Sequence, residues 1–351
     1  MRDLFRDLRD VIRKGDSTEE KKENLLSQAN RYKKDLERAG VNIFTLPQIK
    51  FCEVLGKNES TPEIWMYRMC VVRLLRGDFS DWSGWEYRNE WATGSYWKGI
   101  KKPRWRLEKF DSIAILGEQG IGDEIMFASC IPDVQKRIPK VVIECDPRLE
   151  KIFQRSFGVE TRQRTDITER DNPQVKYLTK DRPEDCFLPI GDLPRLFRKS
   201  RESFPCVPYL KPLPEMVEKW KKYKGRTGFA WRGRSGQYKP EEFKLESPVC
   251  LQYDAWPEES CRMDVPDIDL RNDIEDLLGI VANLDRVVTV GQTIVHLAAS
   301  MGTPVEVVMA PLGSGRVRMP FNYRYGEGSY MPWYGQVRIH RSMESFLGLP
   351  S

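Results

Sequence analysis

The chain has 351 residues, of which 57 are Lys or Arg and 52 Asp or Glu, giving a net charge of +5 with 40% apolar side chains. That composition suits about two or three domains with cores of their own and excludes a disordered or collagen-like chain. No apolar run approaches the roughly 20 residues of a membrane span, and the charged start MRDLFRDLRDVIRK is unlike a signal peptide, so a cytoplasmic location is expected. Eight scattered cysteines without a C-x-x-C pair read as reduced core thiols, and His296 and His340 are too few for a histidine-rich metal site. Metal-independent chemistry is expected unless carboxylates recruit magnesium.

Residues 2 to about 90 pattern as helices. Leu4, Phe5, Leu8, Val11 and Ile12 form an apolar stripe, Ser17 to Glu20 is a capping box, and Thr61-Pro62 opens a helix that ends at Gly77. A connector from Phe79 to Arg106 follows, in which Trp82, Trp85, Trp91, Trp97 and Trp105 alternate with charges. Such rings can stack bases, but so many at a junction fit packing between two units better. After Lys109 strands are expected at 112–116, 140–145, 185–188, 227–232, 248–253, 286–290 and 304–309. Helices are expected at 123–136, 147–157, 214–223, 272–284 and 293–301. This alternation means parallel sheets wound on both faces, an α/β class. The proline-rich segment 205–214 (PCVPYLKPLP) splits it into two Rossmann-like parts facing a cleft.

In the first part, SIAILGEQGIGDEIMFASCIP runs from an apolar strand through a glycine-rich turn into a helix. Its glycines are not spaced as G-x-G-x-x-G and no Gly-Lys-Ser/Thr follows, which makes a nicotinamide oxidoreductase a poor reading. The turn sets Glu118, Gln119, Gly120, Gly122 and Asp123 at the carboxyl end of a strand, where open α/β sheets bind ligands. In the second part, RVVTVGQTIVHLAASMGTPVEVVM repeats the layout, and Gly291, Gln292 and Thr293 stand at a helix N-terminus suited to a diphosphate. His296, one turn in, reads by itself as a core histidine bonded to backbone. Residues 220–239 carry seven basic side chains and no acid. An isolated run of that kind is most simply a solvated face, with a diphosphate or a nucleic-acid backbone as the other partners it suits.

Together these segments resemble GT-B glycosyltransferases, in particular the heptosyltransferase-like family 9 and its relatives fused to tetratricopeptide repeats. GEQGIGDEIMFASCIP is similar to the G-E-Q-G-x-G-D motif, CLQYD to the S-L-Q strand, VTVGQTIVHLAASMGTPV to V-D-T-x-x-x-H-L-A-G-x-x-G-x-P-V, and MPWYGQVRIHR to the closing W-Y motif. MCVVRLLRGDFSDWSGWEYRNEW looks like a last tetratricopeptide-type repeat with an aromatic tail. The family's aspartate before the His-bearing helix is here Gly291, and Gln292 replaces its threonine.

The resemblance implies a helical, tetratricopeptide-like region over 1–95, an acceptor-side Rossmann-like domain over 96–208, and a nucleotide-sugar domain over 209–351. It implies inverting transfer of a sugar to an acceptor hydroxyl, with a nucleotide-sugar as co-substrate and no other cofactor. Asp123 would be general base, the alternative being an aspartate that only complements the helix dipole. His296 would donate a hydrogen bond, and Arg232, Arg234 or Lys239 would meet the diphosphate, Arg232 first because it directly follows a strand. Gln252 is expected on the donor side. Modified DNA, a glycan or a protein all suit the acceptor, and a catalytically degenerate binding protein is the second reading.

Overall fold

A computed structural model describes residues 77–88, 100–118, 120–164, 182–233, 236–309 and 331–349, together with Tyr67, Cys70, Arg73 and Leu74. The helices expected before residue 66, and Trp91, Trp97, Gln119 and Arg234, lie outside the described residues.

The first sheet is built from β1 (Ser112–Leu116), β2 (Lys140–Cys145), β3 (Glu160–Gln163) and β4 (Cys186–Pro189), all parallel, in the order β3-β2-β1-β4. Ile113 to Leu116 are all buried, which is why β1 reads as an unbroken apolar run rather than an alternating one. Between β1 and β2 come α1 (Ile121–Ala128) and α2 (Ile131–Gln135). The single helix expected at 123–136 is therefore two, because Pro132 has no N–H to bond the Ala128 carbonyl and instead opens α2. Helix α3 (Glu150–Phe157) links β2 to β3, and α4 (Leu193–Phe197) follows β4. Strand β3 escaped the sequence reading because its residues, ETRQ, have no apolar member.

The second sheet follows α5 (Pro214–Lys219). It contains β5 (Thr227–Ala230), β8 (Val249–Cys250), β9 (Arg286–Thr289), β10 (Val305–Val308) and β11 (Val337–His340), parallel in the order β11-β10-β9-β5-β8. A short ribbon of β6 (Arg232–Gly233) and β7 (Gly236–Gln237) lies beyond β5. Helices α6 (Pro257–Ser260), α7 (Ile274–Val281) and α8 (Thr293–Ser300) and a closing α9 (Met343–Leu347) complete it. The strands expected at 227–232 and 248–253 are both shorter than predicted. The buried Gln252 side chain takes over there, its Oε1 accepting the N–H groups of Trp231 at 3.1 Å and Arg232 at 2.9 Å.

The fold is GT-B-like, two parallel Rossmann-like sheets facing a cleft. In the first sheet the chain moves outward from β1 to β3 and returns to β4 on the other flank of β1. In the second it places β8 on one flank of β5 and then β9 to β11 on the other. Both reversals mark places where ligands settle outside the strands' carboxyl ends.

Side chains from both halves staple the units together. Trp333 sits between Phe127 and Phe204, with ring centroids 5.7 and 4.9 Å away, and Arg155 forms a bidentate pair with Glu275 at 2.9 and 2.7 Å. The connector tryptophans that are described pack: Trp82 donates to the Arg198 carbonyl at 2.7 Å and Trp85 to the Gly191 carbonyl at 2.6 Å, and both rings are buried, as is Trp105.

Candidate functional site

The turn after β1 is shaped by close approach. Gly117 N–H donates to the Glu144 carbonyl at 2.6 Å, and a Cβ on Gly117 would lie 2.6 Å from that same oxygen, so only glycine fits. Glu118 does not face the cleft. Its carboxylate is buried, accepting the Gly191 N–H at 2.7 Å and the Arg88 guanidinium. Arg88 also donates to Asp192 at 2.6 Å, and Arg104 reaches the other Asp192 oxygen at 2.9 Å. Burial opposes ionisation of Asp192, but Arg88, Arg104 and Arg195 outweigh it and hold the carboxyl down at about 2. Glu124 is likewise sunk, taking the Asp146 N–H at 2.9 Å and pairing with Arg164.

Asp123 is the half-buried carboxylate that this turn presents, and it accepts the Gly120 N–H at 3.2 Å. Its neighbour Gly122 makes the decisive contact of the site. A Cβ there would stand 3.0 Å from His296 Cδ2 and 3.5 Å from Thr293, so the first turn of α1 rests directly on the first turn of α8. The structure thus brings Gly120, Gly122, Asp123, Thr293 and His296 to one junction between the two sheets.

The Ncap residue of α8, Gln292, makes no side-chain cap bond. Gln292 is extended, and its amide turns back to the Thr289 hydroxyl at 3.1 Å, away from the first-turn N–H groups. Gly291 is buried against Gly233, on which a Cβ would approach the Gly291 carbonyl to 2.8 Å. His296 is buried, its Nδ1 lies 3.2 Å from the Tyr334 hydroxyl, and burial pushes its pKa down to about 3.

The expected donor-side residues fare differently. Arg232 reaches the carboxyl end of β5, but its guanidinium holds both Glu259 oxygens, at 3.0 and 3.2 Å, and the Asp254 carbonyl at 2.6 Å. Burial works against the Glu259 charge, yet the Trp256 amide and Arg232 keep that carboxyl below its ordinary value. Lys239 is exposed at the edge of a cleft of about 840 Å³ that Glu259, Arg262 and Lys244 also line. Gln252 donates to Asp254 at 2.5 Å while clamping β5, which makes it a support for the Arg232 turn.

The basic stretch 220–239 is not one surface. Strand β5 carries it through the sheet, leaving Lys221 to Arg226 at the amino end and Arg232 and Lys239 at the carboxyl end. At the amino end Lys221 pairs with Glu218 and Arg226 with Asp264 at 2.5 Å, while Lys222 lies 5.5 Å over Trp220 and 4.8 Å over Tyr223. That half is a solvated, largely paired face.

Sequence reasoning passed over Arg88, Asp192, Tyr209 and Tyr334. Arg88 and Asp192 are 104 positions apart, so no local spacing links them, and the one signal was that both stand beside motif or connector tryptophans and glycines. Among the described residues no three His, Cys, Asp or Glu side chains gather as metal ligands, and no helix is long and apolar enough to cross a membrane.

No protein-family model matches the chain. Protein FlbA of Caulobacter vibrioides is 26% identical over 331 residues, covering 82% of this chain and 54% of that protein, so the chain spans about half the length of the curated relative it matches. Solved structures similar to it include a family 9 glycosyl transferase from Veillonella parvula, at 10% identity and a TM-score of 0.48 over 69% of this chain and 89% of that one. The ADP-heptose lipopolysaccharide heptosyltransferase II of E. coli is another, at 13% identity and a TM-score of 0.43 over 66% and 90% of the two chains.

Proposed function

We propose that the protein is a glycosyltransferase that moves a sugar from a nucleotide-sugar to an acceptor hydroxyl by direct, inverting displacement. The observation that carries this reading is the seating of Gly122 on Thr293 and His296, which brings the Asp123 turn beside the N-terminus of α8, an end that the Gln292 side chain does not cap. A helix N-terminus offers free N–H groups and a positive dipole end to the diphosphate, and stabilises it most as negative charge builds on the departing group. Asp123, held in place by Gly120 N–H, takes the proton from the acceptor hydroxyl as that oxygen attacks the sugar's anomeric carbon. Arg232 contributes charge to the diphosphate by exchanging Glu259 for it, and Lys239 closes the same rim. The acceptor is a modified DNA base, a glycan or a protein hydroxyl.

The neutralised Arg232 and the turned-away Gln292 favour the second reading, a GT-B fold that binds without catalysis. Thermal unfolding with UDP, GDP, ADP, CDP and dTDP, followed by a transfer or donor-hydrolysis assay with the conjugates of the nucleotide that binds, separates the two. In that assay Asp123→Asn is expected to lower turnover by about 10²- to 10⁴-fold. Asparagine keeps the size and the acceptor for Gly120 N–H, so full turnover in this variant removes the base from the mechanism.

A further inference from the structure

The connector is tied to the turn that presents Asp123 by buried charge. The side chains of Arg88 and Glu118 are 1% and 0% exposed and form an ion pair, so loss of either leaves the other charge buried. Arg88 Nη1 donates to Asp192 at 2.6 Å and to the Trp85 carbonyl at 3.1 Å. Glu118 also accepts the Gly191 N–H at 2.7 Å, and the Gly191 carbonyl takes the Trp85 indole N–H at 2.6 Å. A Cβ on Gly191 would run into the Glu118 carboxylate and lie 2.9 Å from Arg88 Nη2, so this seat needs a glycine. Three segments meet on one guanidinium: the connector, the turn after β1 and the turn after β4.

The same connector residues reach the helix that follows the turn. Trp85 lies edge-on to Phe127 of α1, with ring centroids 6.4 Å apart, and Phe127 packs on Trp333 of the second unit. Trp85 also meets Tyr67 at 5.8 Å. Burial pushes the Tyr67 phenol up, Arg88 opposes that and the charges of Asp123 and Glu118 add to it, so all three lie near this ring. With glycines at 117, 120 and 122 the turn loses much backbone entropy on ordering, and it is anchored at both ends. Glu118 fixes its start on Arg88, and Glu124 fixes its end on Arg164 and the Asp146 N–H.

We infer that Arg88 is a positioning residue that, acting through Glu118, holds the turn so that Asp123 stands where the acceptor hydroxyl is deprotonated. A guanidinium suits this role because its planar fork bridges two carboxylates at once, which a lysine ammonium does not. The connector from Trp82 to Arg88 is thereby a part of the acceptor-side unit and not a linker to it. The hold on the turn rests on these contacts alone, while its effect on turnover rests on the glycosyltransferase reading.

Amide hydrogen exchange of the full-length protein tests the hold at Gly120, Asp123, Glu124 and Gly191, with β2 and β9 reporting on the rest of the fold. Arg88→Lys is expected to speed exchange in the turn by about tenfold or more beyond any change in β2 and β9. Glu118→Gln, which keeps the size of the side chain and an acceptor for Gly191 N–H, is read in the same way and decides the matter where Arg88→Lys does not fold. Turn exchange that is unchanged, or that rises only in step with β2 and β9, overturns the inference. In the transfer assay Arg88→Lys is expected to lower kcat by on the order of 10²-fold while nucleoside diphosphate affinity stays within about twofold, a split that a merely structural role would not produce. Full turnover with a loosened turn, or an equal loss of nucleotide affinity, overturns the positioning role. If the unaltered protein transfers sugar from no nucleotide-sugar, the glycosyltransferase reading falls, and the exchange result by itself decides whether Arg88 holds the turn.

Discussion

The turn after β1 and the turn after β9 have the same layout and opposite electrostatics. The first is rich in carboxylates: Glu118 and Glu124 are buried on arginines and backbone N–H groups, and Asp123, half-buried, accepts the Gly120 N–H. The second carries no charge at all, and the Gln292 amide turns back to the Thr289 hydroxyl. One turn rests on buried ion pairs, the other on close glycine contacts such as Gly233 on Gly291. The lesson is that a motif's charged letters need not be its ligands, because a buried charge is tolerated only when it is paired.

This contrast can be broken where it is strongest. Arg88→Leu strips a buried partner from Glu118 and Asp192 together and is expected to cost about 3 to 5 kcal/mol, lowering the thermal midpoint by on the order of ten degrees. A loss below about 1 kcal/mol would show that the first turn does not depend on its ion pairs. The second turn is probed by pH. The folded His296 pKa of about 3 lies below the unfolded value of about 6.5, so the unfolded chain takes up the proton first as pH falls. Stability from this group is complete above about pH 6.5 and is lost toward pH 3, at up to about 1.4 kcal/mol per pH unit. His296→Gln is expected to remove that part of the slope in denaturant titrations at stepped pH, with His340 common to both proteins.

Smaller effects sharpen the comparison. Gly117→Ala meets a backbone oxygen and is expected to cost about 1 to 3 kcal/mol. Gly120→Ala, whose Cβ would meet only the Asp123 carboxylate at 3.4 Å, is expected to be nearly silent in the same melts. Glu259→Gln loosens the grip on Arg232, and since half-exposed ion pairs are worth at most about 1 kcal/mol, nucleoside diphosphate binding is expected to tighten no more than about fivefold by calorimetry.

The sequence by itself determined the strands β1, β2 and β9, the helix that follows β9, a helical stretch after β1 without its break at Pro132, and the two turns, because hydrophobic runs, glycine spacing and helix starts are local properties. It also marked Asp123 and Thr293, whose places depend only on their distance from a strand end. It did not show that Glu118 lies under the turn, that Arg232 arrives already paired, or that β5 divides the basic stretch between two ends of a sheet. Nor did it show that the Tyr334 hydroxyl lies beside His296 Nδ1. Those partners lie 22 to 73 positions apart along the chain. Hydrogen-bond and charge partners at that separation are chosen by how the sheets and helices pack, and the tertiary structure alone decided them.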